Sequence, residues 1–581
     1  MNDLELLREY EPIVRFNEGE LFFPVAVEDY VACCELVGKN AGATAVVRKR
    51  GDVTLQVLAE IGADRPGSGM FLRFVDRPFT RLSAIRWRRD PSRPRFRNTT
   101  RLARVGVLSR VIDALVRISL LFRGSVAGGT EAAAETSYRE QMRADHHPYY
   151  GRVVRTGGYV ALQYWHFYAF NDWRSRVYGV NDHEADWEQV VVYLAEQPDG
   201  AYRPAWVVFS AHDEVGDDLR RRWDDPDLTR VGSHPVVFAG IGSHSGAYLP
   251  GEYLTTLDPP AFRSVVRVFR RVTGVLLPWT RDGEQGGVGI PYVDYARGDG
   301  LTIGPGQVRV WQPVVVADDT PWILQYQGLW GNDTADPLGG ERGPAGPRYE
   351  RSGRVRQAWA DPVGWSGLSK VPPNSAVATE LISTRLTDLD AEIVAADADF
   401  ESQRIALRAA VASGITVTAA QEQSLDRLAA RRTSMLDEHR RLEVRLDNPP
   451  PQPGPHDHLE HRRLPAPVDP PARRRLLAVW SAVSTPLILL AVGLAVRPGN
   501  STSLTVLLLF WLGILVAVEA VARRHFVHLV LILVTIAVVG SVVVAVAGLT
   551  VFYGWRATVA IVLAVLAVLL LVANLQELFR T

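Results

Sequence analysis

Hydrophobic patterning divides the chain into three regimes. Over residues 1–373, short runs of β-branched and aromatic residues alternate with Gly, Pro, Asp or Asn. Examples are "TLQVLAEI", "GGYVALQYWHFYAF", "EQVVVYL", "YRPAWVVFSAH", "HPVVFAGIGSH", "QVRVWQPVVV" and "PWILQYQGLWG". Each predicts a strand, and their close spacing predicts a mainly-β sandwich or jelly-roll-like domain. A helical insertion over about 102–145 interrupts this pattern. Its segment "LARVGVLSRVIDALVRISLLF" gathers Arg110, Asp113 and Arg117 on one helical face. Such a helix either packs on the sheet or lies on a membrane surface.

The period then changes. Ile382, Leu386, Leu389, Ile393, Ala396, Phe400, Gln403, Leu407 and Ala410 follow alternating steps of four and three. Leu425, Leu428, Met435, Leu442 and Leu446 resume the seam, with Arg432 and His439 at two core positions. Gly414 is a natural stop and Thr418 an N-cap, so residues 374–447 read as an antiparallel coiled-coil hairpin. Self-association through this seam is the alternative. Nine prolines within 449–471 make 448–472 a semi-rigid linker, whose His456, His458 and His461 read as solvated.

From 473 to 581 the chain is overwhelmingly apolar, in runs at 476–496, 504–522, 526–551 and 557–575. Each is near the roughly 20 residues that cross a bilayer, which predicts four transmembrane helices. Arg473, Arg474 and Arg475 precede the first run, and Arg523 and Arg524 separate the second from the third. Arg-rich flanks stay inside, so the N-terminal domain and the C-terminus are expected in the cytoplasm. The beginning, "MNDLELLREYEPIVRF", lacks a basic stretch followed by an apolar one, which agrees with a domain that is not exported. The expectation is a multi-pass plasma-membrane protein whose partner is the lipid bilayer, with self-association through the coiled coil or the spans.

Charge adds an exclusion. The 64 basic and 64 acidic residues cancel, which argues against nucleic acid as a partner. Lys39, Lys49 and Lys370 are the only lysines, a bias that fits a GC-rich coding sequence. Cys33 and Cys34 are adjacent, and no disulfide framework is written in the chain.

The candidate chemistry lies in "VYGVNDHEADWEQVVVYL". Residues two apart on a strand share a face, so Asp186 and Glu188 point together while Trp187 points away. His183 falls in the turn entering that strand, where it can fold back toward both acids. Two carboxylates and an imidazole suit a divalent cation, with Mg²⁺, Ca²⁺ or Mn²⁺ favoured over Zn²⁺. Asn171, His212 and His244 end other strands, and convergence of these ends would complete a site. His212 and His244 are the candidates for proton transfer if the site is catalytic.

The blocks "YEPIVRFNEGELFFPVAVEDYV", "YWHFYAFND…NDHEADWEQVVVYL", "HPVVFAGIGSHSGAYLPGEY", "LQYQGLWGND" and "GPAGPRYERSGRVRQAWADPVGW" resemble the vacuolar protein sorting-associated protein 62-like family over about residues 10–365. More remotely, the H-x-x-D-W-E core is similar to the necrosis- and ethylene-inducing-like proteins. That resemblance implies a β-sandwich with a divalent cation held by Asp, His, Asp and Glu. Carried over by position, His183, Asp186 and Glu188 match three of these ligands. Asn171 stands where that family has its first Asp, and Ala185 where it has a second His.

The combined expectation is a membrane-anchored protein presenting a cytoplasmic β-sandwich, whose cation site recognises a polar ligand, a sugar or a lipid headgroup. A metal-dependent hydrolase, and a membrane-active or trafficking-related assembly protein, are the alternatives. A binding role is expected ahead of an enzymatic one.

Overall fold

The computed structural model describes the chain except residues 1, 41–42, 65–68, 97–99, 108, 112–113, 115–128, 144, 174–181, 211–215, 258–289, 333–342, 417, 449–453, 496, 498–500, 525 and 579–581. The chain forms two compact units. One comprises Met1–Arg97, Leu120–Tyr253 and Asp294–Ala466; the other comprises Asn98–Ser119, Leu254–Val293 and Pro467–Thr581.

The first unit is built on a six-stranded sheet. Its spatial order is Gln312–Val315, Pro148–Thr156, Tyr159–Asn171, His183–Glu196, Tyr202–Phe209 and Arg221–Arg222. The edge strand Gln312–Val315 runs parallel to its neighbour and the other pairings are antiparallel. A second sheet joins Ile13–Arg15 to His234–Ala239 in parallel and to Thr302–Ile303 antiparallel. Side chains from both sheets share one core, including Val14, Val237 and Ile303 from one and Leu162, Tyr164, Val192 and Val207 from the other.

The opposite face of the six-stranded sheet is covered as well. Phe167, Ala169 and Trp187 pack there with Tyr30, Leu72, Ala132 and Trp330. Further along, Ala161, Val191 and Tyr193 meet Leu219, Val363 and Leu368. Burial on both faces explains why Tyr159–Asn171 is buried at every position.

Two segments expected as strands are helices. "TLQVLAEI" becomes the helix Leu55–Asp64, started by the Thr54 hydroxyl, which accepts from the Val57 amide at 3.1 Å. Leu58, Ala59 and Gly62 form its buried stripe, a helical rather than two-residue period. "PWILQYQGLWG" opens as the helix Pro321–Gln325, with proline in the first turn, where its missing N–H costs nothing. Short apolar runs carry no period of their own, so packing decides between the two states.

Residues 375–447 form two helices, Ser375–Ala412 and Ala419–Asp447, with Leu389, Ala396 and Met435 buried together. Gly414 takes φ 76° between them. The polar seam residues have partners: Arg432 pairs with Asp397, and His439 Nε2 lies 3.0 Å from Asp390. The Pro-rich segment departs from a solvated spacer. His458 Nε2 meets the Arg220 carbonyl at 2.9 Å, and Arg462 grips both Asp227 oxygens at 2.9 and 2.7 Å. The Ala466 amide donates to the Glu252 carbonyl at 2.8 Å. Proline sets the extended backbone, and the polar residues between prolines supply these bonds.

In the second unit, Pro471–Ala495 and Thr502–Ala522 are long and apolar enough to cross a membrane. Phe510 and Trp511 are 63% and 54% exposed, unlike residues of a soluble core helix. A third helix, Phe526–Leu578, is broken at Gly554, where φ is 79° and ψ 159°. Of the segment 102–122, expected to pack on the sheet or to lie on a membrane surface, the described residues 102–107, 109–111 and 114 belong to this unit. Their arginine Arg110 bonds Ser481 and Ser484 of the first apolar helix.

Candidate functional site

The strand His183–Glu196 pairs with Tyr159–Asn171 from its first residue, with His183 opposite Asn171 and Asp186 opposite Tyr168. His183 is therefore inside the strand rather than in a turn before it. Regular alternation would place His183 and Asp186 on opposite faces. Ala185 breaks that alternation by taking φ 58°. Directly paired residues share a face, so His183 lies on the Asn171 side. Glu184 is turned to the other side, where its carboxylate accepts from the amides of Phe74, Val75 and Asn332 at 2.9, 2.8 and 3.0 Å. Glu184 is thus a structural acceptor.

On the Asn171 side the groups converge. The Asn171 amide donates to Asp186 Oδ2 at 3.0 Å and reaches the Ser243 carbonyl at 3.5 Å. Both are acceptors, so the NH₂ must face them. The other end of that amide, Oδ1, is buried and has no hydrogen-bond partner among the described residues. His244 Nδ1 donates to the same Asp186 oxygen at 3.0 Å, and its ring stacks on Tyr168 with centroids 3.7 Å apart. Burial lowers the His244 pKa, but the Asp186 bond and the charges of Glu20 and Asp186 outweigh it and hold the pKa above the usual value. His244 takes φ 55°, a left-handed conformation rare for a side-chain-bearing residue.

Glu188 lies two residues beyond Asp186 and accepts from the Ser210 hydroxyl at 2.6 Å. Burial, then the Asp186 charge, push its pKa well above the ordinary carboxylate value. His183 Nδ1 lies 2.8 Å from the Ala185 carbonyl. A carbonyl only accepts, so Nδ1 carries a proton; in the neutral ring this leaves the lone pair on Nε2, as in histidines that bind metals. His212 falls outside the described residues. His166, opposite Glu188, is a packed residue: its ring sits 4.8 Å from Trp311, and burial pushes its pKa down to about 3.

Sequence reasoning missed three contributors. Glu20 accepts from the amides of Leu21 and Gly242 at 2.8 and 3.0 Å, and lies 3.9 Å from His244 Nε2. Ser243 donates to Asp294 at 2.8 Å, an approach that needs Gly240, since a Cβ there would fall 2.1 Å from Asp294 Oδ1. The available signal was an acid, Glu20, set directly before the apolar run "LFF". A second cluster joins the former linker to the body. Ligand atoms of Asp225, Asp227 and His456 lie within 4.8 Å of one another, with His456 Nε2 at 2.9 Å from Asp225 and 3.4 Å from Asp227.

No family model matches the chain. No curated protein matches it either. Among solved structures, it is similar to NLPPya in complex with mannosamine, at 19% identity and a TM-score of 0.15, over 19% of this chain and 46% of that one. NLPPya in complex with glucosamine is similar at 20% identity and a TM-score of 0.13, over 17% and 43%. The chain thus spans less than half the length of those structures. Overlaps this short leave the reading to the residues themselves.

The thiols are a separate matter. Burial raises both cysteine pKa values, Cys34 well above 9.0 and with Glu184 adding to it. At neutral pH both are expected to stay protonated and react slowly. Iodoacetamide should label Cys33 slowly and Cys34 only after denaturation; fast native labelling of Cys34 would contradict its burial.

Proposed function

We propose that this chain is a membrane-anchored protein whose cytoplasmic β-sandwich, of jelly-roll type, holds a divalent cation that recognises a polar ligand such as a sugar or lipid headgroup. The observation that carries this is the Asn171–Asp186–His244 convergence around an orphaned, fully buried amide oxygen. A buried acceptor without a partner is costly unless something binds it. Glu20, Asp172, Asp186 and Glu188 are all buried there, and His244 donates to Asp186. Carboxylate oxygens gathered at one place are the donor type that a hard divalent cation takes. Asn171, His183, Asp186 and Glu188 would hold it, their oxygen-rich set suiting Mg²⁺, Ca²⁺ or Mn²⁺. The cation would supply a fixed positive charge for oxygen atoms of the ligand.

Membrane attachment is supported by the two exposed apolar helices. Four crossings are supported by the break at Gly554 in a helix of 53 residues. At 1.5 Å per residue that helix is about 80 Å long, against about 30 Å of hydrocarbon. Membership of the vacuolar protein sorting-associated protein 62-like family belongs to the same proposal. The hydrolase reading is weaker, because the His244 side chain is wholly enclosed and stacked, so it positions Asp186 rather than meeting a substrate.

The test is elemental analysis of the purified chain and its variants. One ion per chain is expected, lost in Asp186→Ala/Glu188→Ala and retained in Asp225→Ala. The reverse result would move the ion to the Asp225–Asp227–His456 cluster and overturn the assignment. Reporter fusions at the C-terminus should be active in the cytoplasm, and an external signal would reverse the orientation.

A further inference from the structure

The apolar unit has a basic end. Arg473, Arg474 and Arg475 open the helix Pro471–Ala495, and Arg523 and Arg524 follow the helix Thr502–Ala522. The two ends are adjacent, since Trp480 Nε1 donates to Glu519 Oε2 at 2.5 Å. A third element brings more arginines to the same place. Arg110 Nη2 lies 3.1 Å from Glu519 and 3.3 Å from the Ser484 hydroxyl. Arg523 Nη2 reaches the Leu102 carbonyl at 3.3 Å and the Ser481 hydroxyl at 2.8 Å. The helix Thr100–Arg104 is thereby held at this end and adds Arg101 and Arg104.

Among the described residues, two acids at this end are each shared by two arginines. Glu519 is shared by Arg110 and Arg523. Asp469 is shared by Arg104 at 3.6 Å and Arg473 at 3.1 Å. Arg474, Arg475 and Arg524 have no ion-pair partner among the described residues, and Arg475 and Arg524 are exposed. Three unneutralised guanidinium groups thus sit where two apolar helices end.

We propose that this end of the anchor binds the phosphate groups of anionic phospholipids. The proposal rests on the reading of these helices as membrane spans. Guanidinium pairs with phosphate through two parallel hydrogen bonds. Each arginine near an anionic bilayer surface contributes a factor of roughly five, so three contribute on the order of a hundredfold.

Native mass spectrometry of the full chain, with equimolar phosphatidylglycerol and phosphatidylcholine, tests this. Phosphatidylglycerol adducts should dominate, and Arg474→Gln/Arg475→Gln/Arg524→Gln should lose that preference by on the order of a hundredfold. The Arg→Lys triple variant should keep most of it, which separates lost charge from lost folding. Equal adducts in the native chain, an unchanged preference in the Gln variant, or displacement of the lipid by millimolar inorganic phosphate would each overturn the proposal. Alkaline extraction separates the two readings. A chain that stays in the membrane without lipid preference sinks this proposal alone, whereas a chain that is released sinks the anchor as well.

Discussion

Replacing Glu184 with alanine is expected to destabilise the strand body by about 3–5 kcal/mol. The side chain is fully buried and its two oxygens accept from three backbone amides, those of Phe74, Val75 and Asn332. Alanine leaves all three donors in a dry interior, each costing about 1–3 kcal/mol, less whatever local relaxation recovers. Those amides lie 110, 109 and 148 residues away in sequence, so the carboxylate joins segments that nothing local holds together. Glu184→Gln keeps one acceptor oxygen and should lose roughly half as much. Urea unfolding followed by tryptophan fluorescence reads both. An alanine variant within 1 kcal/mol of the native chain would show that water reaches these amides.

The second large effect concerns charge at the Asp186 side. Asp186→Asn/Glu188→Gln keeps the shapes and removes two buried ionisable carboxyl groups. In chelator, this variant should be at least as stable as the native chain, because buried like charges repel and burial opposes their ionisation. With excess Ca²⁺ the order should invert. The native chain gains about 2.7 kcal/mol when free ion is a hundredfold above its dissociation constant, while the variant gains nothing. Thermal melts with and without ion provide the readout. A variant less stable than native in chelator, with no ion response in either, would mean that these carboxylates serve the fold alone.

Parts of this site were legible early. A period of two put Asp186 and Glu188 on one face, and the aromatic–aliphatic runs around them marked the two longest strands. Glu184 and His183 were not legible in the same way. Their faces depend on one left-handed residue, Ala185, and no rule of composition requires alanine to adopt φ 58°. The long run of "GGYVALQYWHFYAF" announced a strand, but its burial on both faces depends on helices and a small sheet drawn from residues 27–141.

Local chemistry alone determined the apolar helices, the seam of the helical hairpin and the shared face of two acids, because side-chain period and hydrophobicity act over a few residues. Tertiary structure alone decided that His244 would meet Asp186 across 58 positions and that Glu20 would hold Gly242 across 222. It also decided that a proline-rich stretch would bond to the body and that Leu102, Ala103 and Arg110 would meet the apolar helices. Such meetings follow from strand order and from which buried charges find partners, and short-range patterning does not encode either.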